Sequence, residues 1–597
     1  MPADNPTPIV AAPGGSFLVE RRAPTEVFTP EDLSEEQRQI AAMAAAFARE
    51  EILPRAAEVE AKQAGALPAL LRKAAELGLT AVDIPEEYGG MGLDKVSSTL
   101  ITDHISSLAS FSTAFGAHIG IATLPLVWYG TAEQKQRYLP RLATAECIGG
   151  YGLSESSSGS DAMNIRTRAT LSADGAHYTL NGEKMWITNG GIAGLYTVFA
   201  KIDGEKFSAF LVERDTPGLS VGAEEHKLGI RGSSTCPLVL QECKVPVANL
   251  LGEAGKGHHI AFNVLNVGRF KLGAACVGGA RDALGHMIRY ARDRRAFGKP
   301  IAEFGLIQRK ISSTASRLFA AESMVYRTAG MMDAAMEAMG PERAQQPREI
   351  QRHIEEYAVE CSILKVYGSE MLALVADELV ATMGGYGYVE EYPAERTYRD
   401  ARINRIFEGT NEINRLIITG WLMKRAMNGQ LPLLPAIQGV MDDVMQPPAL
   451  DAAGAADEPL AHEAAVLAAV RKLTLFAAGV ASQQYGAALQ EEQEVMADLA
   501  DMIGQVFALE SALLRAQKMA AGPRGAAAAA LTGLLAEESM AVATQCARRV
   551  LAACGEGDTL RTQLAILRRL TRATPADTVS LSRAAARHCL QAEKYPF

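Results

Sequence analysis

The chain has 597 residues, of which 48% are apolar and 21% charged, and its formal net charge is −10. This length allows roughly three to five domains, and the composition is that of a globular protein. The acidic balance argues against nucleic acid as the main partner, because that binding needs a clustered basic surface. No run of about eighteen apolar residues is present, so we expect no membrane-spanning helix.

The amino-terminal residues 1–28 predict a mobile tail, because they are rich in proline, glycine and alanine and lack the basic-then-apolar pattern of a signal peptide. The eight cysteines are scattered without a Cys-x-x-Cys pair, and the ten histidines supply no zinc spacing with them. We therefore expect a reducing compartment, thiols packed as small hydrophobic side chains, and no metal site. The absence of a targeting signal makes the cytoplasm the default expectation, and a processed organellar protein stays open.

Residues 29–147 predict a helical amino-terminal domain. Thr29 can cap a first helix, and Pro30 suits the first helical position. Apolar residues then recur at helical spacing from Ile40 to Phe47.

Residues 148–256 predict a compact antiparallel β domain. Asn181-Gly182 lies between two alternating runs, which is the strongest short hairpin signal, so a turn is predicted there. Further short strands are predicted at 195–202, 207–213 and 237–246.

Helical periodicity returns in residues 257–428, which predict a helical bundle domain. Residues 429–460, rich in proline, glycine and alanine, predict a connector with a weak amphipathic piece. Residues 461–597 predict an alanine-rich helical extension, interrupted at 520–530. The predicted fold class is α+β and mainly α: a helical domain, a middle antiparallel β domain, a four-helix bundle, and an extra helical carboxy-terminal domain.

Two stretches of the β domain contain candidate binding residues. The loop YGLSESSSGSDA, residues 151–162, has six hydroxyl groups that can hold a phosphate or the polar edge of a flavin, although a solvated surface loop is the alternative. In KMWITNGG, residues 184–191, Trp186 and Thr188 are expected on one face of a strand. Trp186 could lie against a planar ring while Thr188 donates to a ring heteroatom, or Trp186 could simply be core.

Three later stretches are equally ambiguous when each is taken alone. DRRAFGKPI, residues 293–301, ends a helix with two arginines that either complement the helix dipole or clamp a phosphate. MGGYGY, residues 383–388, suits a helix C-cap and does not fit the dinucleotide fingerprint. FEGTNE, residues 407–412, places Glu408 on a tight turn, where a solvated acid is the ordinary expectation.

The order of these five motifs resembles the acyl-CoA dehydrogenase family over about residues 35–427. NVLNVGRF (263–270) and FGLIQ (304–308) are most similar to the very-long-chain branch. That branch also carries a helical extension of about the size of residues 430–597. The resemblance implies a flavoenzyme of fatty-acid β-oxidation.

The resemblance further implies FAD as the cofactor and α,β-dehydrogenation of an acyl-CoA thioester to the trans-2-enoyl-CoA. In this family a carboxylate in a dry pocket removes the α-proton, hydrogen bonds hold the thioester oxygen, and the flavin takes the β-hydride. By resemblance Glu408 is the base, and its N–H joins a ribityl hydroxyl in holding the carbonyl oxygen. Gly409 keeps the backbone close to the substrate.

The resemblance also implies which residues bind FAD and substrate. Those expected around the flavin ring and its loop are Tyr151, Leu153, Ser154, Ser160, Trp186 and Thr188, and those near its phosphates and ribose are Thr410 and Glu412. Those expected from a neighbouring subunit are Arg294, Phe297, Gly384 and Gly385, so a homodimer or dimer of dimers is implied. Those expected at the substrate are Ser160, Asn266, Arg269, Phe407 and Gly409.

The chain departs from the family pattern at a few positions. Ser154-Glu155-Ser156 replaces Thr-Glu-Pro but keeps the first hydroxyl. Gly305, shared with the very-long-chain branch, and Ala381 stand where glutamine is common, so two polar contacts to FAD are expected to be missing.

Three functions stay open at this point. The first is a long-chain dehydrogenase that passes electrons to electron-transfer flavoprotein. The second is an acyl-CoA oxidase, which sequence separates poorly because oxygen access depends on packing. The third is a non-catalytic assembly relative, which would not need Glu408, Trp186 and Thr188 together.

The sequence says less about the preferred acyl chain length and about the role of the carboxy-terminal extension. Gly120 and Ala122, within residues 116–126, are small and favour a deep acyl pocket, although a branched or unusual acyl group stays open. The extension is expected to pack on a neighbouring subunit, because LPLLPAIQGVMDDVM lacks a basic face for an anionic membrane. A weak peripheral membrane contact is left open.

Overall fold

The amino-terminal helices surround an apolar core of their own. The computed structural model describes residues 9, 11–344, 346–445 and 460–597. Thr29 and Pro30 begin only a short 3-10 turn, and the first α-helix starts after Ser34, whose hydroxyl accepts from the Gln37 amide. The helices are α1 (Glu35–Phe47), α2 (Ala56–Glu60), α3 (Ala66–Glu76), α4 (Lys95–His104), α5 (Ala109–Gly116), α6 (Leu124–Tyr129) and α7 (Ala132–Ala143).

A β-sheet follows in the middle of the chain. Its order is β6-β7-β3-β2-β4-β5-β8, with β1 paired to β4. The sheet is mixed rather than wholly antiparallel, because both β1 and β2 run parallel to β4. The strands are β1 (Gly149–Gly152), β2 (Arg168–Leu171), β3 (His177–Thr188), β4 (Leu195–Ile202), β5 (Lys206–Glu213), β6 (Leu219–Val221), β7 (Thr235–Pro246) and β8 (Leu250–Leu251).

The hairpin predicted at Asn181-Gly182 is wrong. Both residues lie inside β3, which pairs with β7 along its length and has a register shift between Leu180 and Gly182. The Asn181 side chain reaches across to β7, accepting from the Glu242 amide at 2.8 Å. A β-bulge uses the same residue types as a tight turn, so the local signal was read as the wrong structure.

A four-helix bundle is formed by α8, α9, α12 and α14, in which α12 packs on each of the other three and α8 also packs on α9. A small hairpin of β9 (Arg295–Ala296) and β10 (Lys299–Pro300) separates the first two helices. The helices of this part are α8 (Gly257–Asp293), α9 (Gly305–Met339), α10 (Pro341–Ala344), α11 (Pro347–Glu356), α12 (Ala358–Met383), α13 (Pro393–Ala401) and α14 (Asn411–Met427).

The carboxy-terminal extension shares one continuous apolar core with the bundle. Phe319 of α9, for example, packs on Phe597 near the end of the chain, with ring centroids 4.8 Å apart. The helices of the extension are α15 (Leu433–Met445), α16 (Ala461–Tyr485), α17 (Gln493–Met519), α18 (Gly525–Cys554), α19 (Gly557–Leu570) and α20 (Thr578–Ala592).

Residues 11–28 do not form the predicted mobile tail. Phe17 is 2% exposed, and its ring packs on Phe507 of α17 with centroids 4.7 Å apart. The amides of Gly14 and Gly15 donate to carboxylates of α11 and α12 at 2.8 and 2.7 Å. The segment is held because the side chains of Phe17 and Leu18 are buried in the apolar core that the bundle and the extension share. Residues 1–8 and 10 of that predicted tail, and 446–459 of the predicted connector, lie outside the described residues.

Four described helical segments are long and apolar enough, by length and composition alone, to cross a membrane, although no uninterrupted apolar run predicted one. Between 56% and 78% of the most apolar stretch of each is buried inside the protein. Alanine spread through these helices raises the mean hydropathy, and alanine and glycine together allow close helix packing. The segments are Ala109–Tyr129, Gly257–Asp293, Ala461–Glu491 and Gly525–Cys554.

We predict that Phe17→Ala destabilises the protein, because it leaves a cavity between the amino-terminal segment and α17. The expected loss is about 3–5 kcal/mol, seen as a lower midpoint of urea denaturation followed by circular dichroism. Val579→Ala, at a side chain that is 58% exposed, is the control and should leave the midpoint unchanged. An unchanged midpoint for Phe17→Ala would show that this segment contributes nothing to stability.

Candidate active site

Glu408 lies on a turn between α13 and α14 with a left-handed backbone. Its φ is 58°, and Gly409 follows at 80°. A non-glycine residue rarely adopts this conformation, and such strain is concentrated at functional sites. Thr410 then caps α14, because its hydroxyl accepts from the Ile413 amide at 3.2 Å. The turn places the carboxylate against Gly268 of α8.

Polar side chains hold this turn from two sides. Arg269 of α8 donates from Nε to the Glu408 carbonyl at 3.1 Å and is itself anchored on Asn266 at 2.8 Å. Asn414 donates to the carbonyls of Gly409 and Thr410 at 2.9 and 3.0 Å. The amide of Glu408 has no hydrogen-bond partner among the described residues. That donor is therefore free to bind a ligand.

Glu408 is half-buried, and its carboxylate is incompletely bonded. Its Oε2 atom has no partner among the described residues. Burial raises the pKa of Glu408 to about 7, against the opposing charges of Arg269 and Lys365. Gly268 faces the carboxylate so closely that an added Cβ would lie 2.7 Å from Oε2. A carboxyl group with this pKa can accept a proton near neutral pH.

Lys365 of α12 is a site residue that sequence reasoning missed. Its Nζ donates to Asn411 Oδ1 at 2.6 Å, and the Asn411 amide donates to Ser369 and Glu370. Burial lowers the pKa of Lys365 to about 8. It thus anchors the start of α14 and places a positive charge near Glu408. No local motif marks it, because its partners lie more than forty residues away.

The β domain supplies the opposite side of the site. Trp186 lies in a bulge of β3 with φ 58° and is 56% exposed, so it is not a core residue. The hydroxyl of Tyr151, on β1, is buried without a partner among the described residues. Exposed aromatic surface and a free buried hydroxyl suit a planar ligand with polar edges.

A buried ion pair fixes the serine-rich loop. Lys184 donates to Glu155 at 2.7 Å and to the Leu153 carbonyl at 3.1 Å, and both charged side chains are at most 5% exposed. Glu155 also accepts from the amides of Arg166 and Thr167. Burial lowers the pKa of Lys184 to about 8, against the charge of Glu155. This support was not predicted from the sequence.

A cavity of about 570 Å³ joins the two sides. Its volume is that of an ordinary cofactor or ligand site. Sequence reasoning missed several residues at its rim, among them His258, His259 and Phe262. The predicted site residues that line it are Tyr151, Leu153, Ser154, Ser160, Trp186, Thr188, Asn266, Arg269, Phe407, Glu408 and Gly409.

A second, narrower cavity of about 150 Å³ continues from Glu408 and Thr188 along α8. Gly120 lines it, as predicted for an acyl pocket. Ala122 does not line it, because its side chain packs against β1 at Gly149. Residues of α4, α5, α8, α12 and α13 line the cavity, and Asp282 is the lining residue of α8 that lies farthest along the helix from Gly268.

Four predicted cofactor residues lie away from Glu408 within one chain. Arg294, Gly384 and Gly385 line a separate concavity of about 520 Å³. Phe297, at the tip of the β9–β10 hairpin, is 94% exposed with φ 52°. Gly384 is the C-cap of α12, as its sequence context suggested. Thr410 and Glu412 lie at the start of α14.

Family models of acyl-CoA dehydrogenases match most of the chain. The N-terminal domain model covers residues 34–146, the middle domain 150–243 and the C-terminal domain 255–423. A further acyl-CoA dehydrogenase C-terminal model covers residues 469–569, within the extension.

Individual relatives and solved structures point to the same family as these models. A probable acyl-CoA dehydrogenase of Bacillus subtilis (strain 168) is 46% identical over 98% of both chains. The human very long-chain specific acyl-CoA dehydrogenase is 38% identical, over 58% of this chain and 51% of the human protein. The acyl-CoA dehydrogenase of Bacillus anthracis, crystallised with FAD, matches at TM-score 0.95 and 46% identity, covering 98% of this chain and 100% of that chain.

Fold and site together define a flavin-dependent oxidoreductase that acts on CH–CH groups. The chain belongs to the acyl-CoA dehydrogenase family. Its cofactor is FAD, and the site fits that group: the exposed face of Trp186, the unpaired hydroxyl of Tyr151 and the serine-rich loop converge on one cavity.

We predict that Lys184→Met loosens the serine-rich loop and lowers FAD retention, because it leaves the buried Glu155 carboxylate without its cation. Breaking such a pair is expected to cost about 3–5 kcal/mol. The measurement is the flavin-to-protein absorbance ratio after gel filtration. Lys206→Met, at an exposed position of β5, is the matched control. Full flavin content in Lys184→Met would rule out this support.

Proposed function

We propose that this chain oxidises long-chain acyl-CoA thioesters to trans-2-enoyl-CoA, with Glu408 as the base. The observation that carries the proposal is the unpartnered Glu408 carboxylate, which lines both the wide cavity and the narrow one. A thioester seated where the two cavities meet would have its acyl chain in the narrow cavity and its CoA part in the wide one.

The proton transfer follows from the environment of Glu408. Its Oε2 atom is free of protein hydrogen bonds, and its pKa of about 7 makes the carboxylate more basic than a solvated one. The carboxylate takes the α-proton of the acyl group, and Arg269 keeps the turn in place by holding the Glu408 carbonyl. FAD, when bound, supplies the acceptor for the hydride that leaves the β-carbon.

The negative charge that develops on the thioester oxygen needs donors. The amide of Glu408, left-handed and unpartnered among the described residues, is one such donor. One residue thereby supplies both the base and an oxyanion contact, which explains a glutamate at a strained position. A flavin ribityl hydroxyl is proposed as the second donor.

The narrow cavity supports a long acyl chain. It follows α8 from Gly268 to Asp282, a distance of about 21 Å along the helix axis. The human very long-chain specific relative agrees with this proposal.

The remaining contacts are proposed from the placement of the residues. Trp186, Thr188, Tyr151, Leu153, Ser154 and Ser160 would contact the flavin of their own chain. Thr410 and Glu412 would contact its phosphates and ribose. Arg294, Gly384 and Gly385 line a concavity that Glu408 does not line, and Phe297 is exposed at a hairpin tip, so these four residues would complete the site of a partner copy in a dimer or dimer of dimers.

Electron-transfer flavoprotein is the proposed electron acceptor. A solved structure described as the electron transferring flavoprotein of Acidaminococcus fermentans matches 66% of this chain at TM-score 0.60 and 34% identity.

The bacterial relative and eight buried free thiols support a cytoplasmic location. The domain boundaries predicted from the sequence, and a weak peripheral membrane contact, remain proposals.

An oxidase is the second candidate, since a prolyl acyl carrier protein oxidase matches 65% of this chain at TM-score 0.59 and 30% identity. An oxygen electrode separates the two. Rapid oxygen uptake on adding acyl-CoA, without another acceptor, would replace the dehydrogenase proposal.

We predict that Glu408→Gln retains FAD but loses reduction by acyl-CoA. An amide cannot take the α-proton, and loss of a general base costs about 10²- to 10⁴-fold in rate. The measurement is anaerobic bleaching of flavin absorbance by hexadecanoyl-CoA.

Glu390→Gln, an exposed carboxylate after α12, is the matched control and should bleach like the unmodified protein. Normal bleaching in Glu408→Gln would assign the base elsewhere. No bleaching in the unmodified protein by any acyl-CoA would remove the catalytic proposal.

We predict that kcat/KM rises with pH through about 7, because Glu408 acts as a base only when deprotonated. Lys365→Met removes a positive charge that lowers the pKa of Glu408, so the rise should move to higher pH by about one unit. Lys472→Met, on the surface of α16, is the control. A profile that does not move would exclude Lys365 from tuning the base.

A further inference from the structure

A chain of buried charges links the carboxy-terminal extension to the bundle and to α4; we call it the buried ion network. Arg515 of α17 donates to Glu322 of α9 at 2.6 Å, and the Tyr595 hydroxyl donates to the same carboxylate oxygen at 2.9 Å. The other oxygen of Glu322 accepts from Arg281 of α8 at 2.7 Å. Arg281 then holds both oxygens of Asp103, on α4, at 2.7 and 2.9 Å.

The network is largely buried, and its most exposed member is Arg281, whose side chain is 23% exposed. Arg515, Tyr595 and Asp103 are each 1% exposed. Although burial favours the neutral acid, Arg515 and Arg281 lower the pKa of Glu322 to about 2. Removing one member leaves a buried charge underbonded, so the remaining groups must shift to find new partners.

The network lies directly behind the far end of the narrow cavity. Asp103 and Arg281 are sequence neighbours of Thr102 and Asp282, which line that end. The two helices cross there at close range, since a Cβ on Gly278 would lie 1.9 Å from the Asp103 carbonyl oxygen. A shift of Asp103 or Arg281 therefore moves the wall of the cavity.

We propose that Arg515 and Tyr595 are positioning residues that set the acyl-chain preference by fixing this far wall. The inference rests on the proposed function, and it gives the extension a role in the site of its own chain. It differs from general stabilisation in one respect. Only an acyl chain long enough to reach Thr102 and Asp282 senses the wall, whereas a short chain ends near Gly268 and Leu272.

The test compares binding of hexadecanoyl-CoA and hexanoyl-CoA to FAD-loaded protein by calorimetry. The Glu408→Gln background prevents turnover, so affinity is read directly. In that background Tyr595→Phe removes one hydroxyl and keeps the ring. We expect the Kd of hexadecanoyl-CoA to rise on the order of tenfold, the scale of a hydrogen bond to a charged group, with the Kd of hexanoyl-CoA unchanged.

Tyr485→Phe is the matched control, because its hydroxyl donates to the Ala553 carbonyl elsewhere in the extension. Arg515→Lys cannot bond to both Glu322 and Glu31, so it should also raise the Kd of hexadecanoyl-CoA relative to that of hexanoyl-CoA. Equal loss for both acyl-CoAs, or no loss for either in Tyr595→Phe, would overturn the inference. Failure of acyl-CoA to bleach the unmodified protein would refute the proposed function instead. The ratio of the Kd of hexadecanoyl-CoA to the Kd of hexanoyl-CoA would still decide whether Arg515 and Tyr595 set the acyl-chain preference.

Discussion

The site depends on keeping one carboxylate dry without giving it a protein hydrogen bond. Burial raises the pKa of Glu408 to about 7. Arg269 and Lys365 offset that cost through their charge, yet their hydrogen bonds go to the Glu408 carbonyl and to Asn411. The carboxylate is thereby stabilised while its oxygen stays available. A direct ion pair would lower the pKa of the base and occupy the atom that has to take a proton.

Helix α8 packs closely against the Glu408 turn, α12 and α4, and a glycine permits each of these three contacts. An added Cβ at Gly268 would press on Glu408, at Gly273 on Leu364 of α12, and at Gly278 on the Asp103 carbonyl of α4. Each glycine permits a close approach to a different neighbour. One rigid helix therefore carries both the thioester end and the far end of the narrow cavity, and the distance between them is fixed by the helix rise.

The sequence predicted the helical and β parts and the turn at Glu408, because the spacing of apolar residues and the order of the motifs can be read from the chain itself. It did not predict Lys184, Lys365 or the buried ion network, since their partners are distant in the chain and leave no local pattern. Asn181-Gly182 misled because a bulge and a hairpin use the same residues. The tail prediction failed at Phe17, whose burial depends on a pocket supplied by α17.

The extension cannot be regarded as an independent addition, because it neutralises charges that the bundle buries. Arg327 of α9 pairs with Glu510 of α17 at 2.9 Å, and both side chains are 3% exposed. Glu510 in turn accepts from Arg471 of α16 at 2.6 Å. Without the extension, Arg327 would lose the carboxylate that compensates its desolvation, and Glu322 would keep Arg281 but lose Arg515, one of its two cationic partners. Bundle and extension must therefore fold as one unit, and a change at the carboxy terminus reaches α8 through bonded side chains.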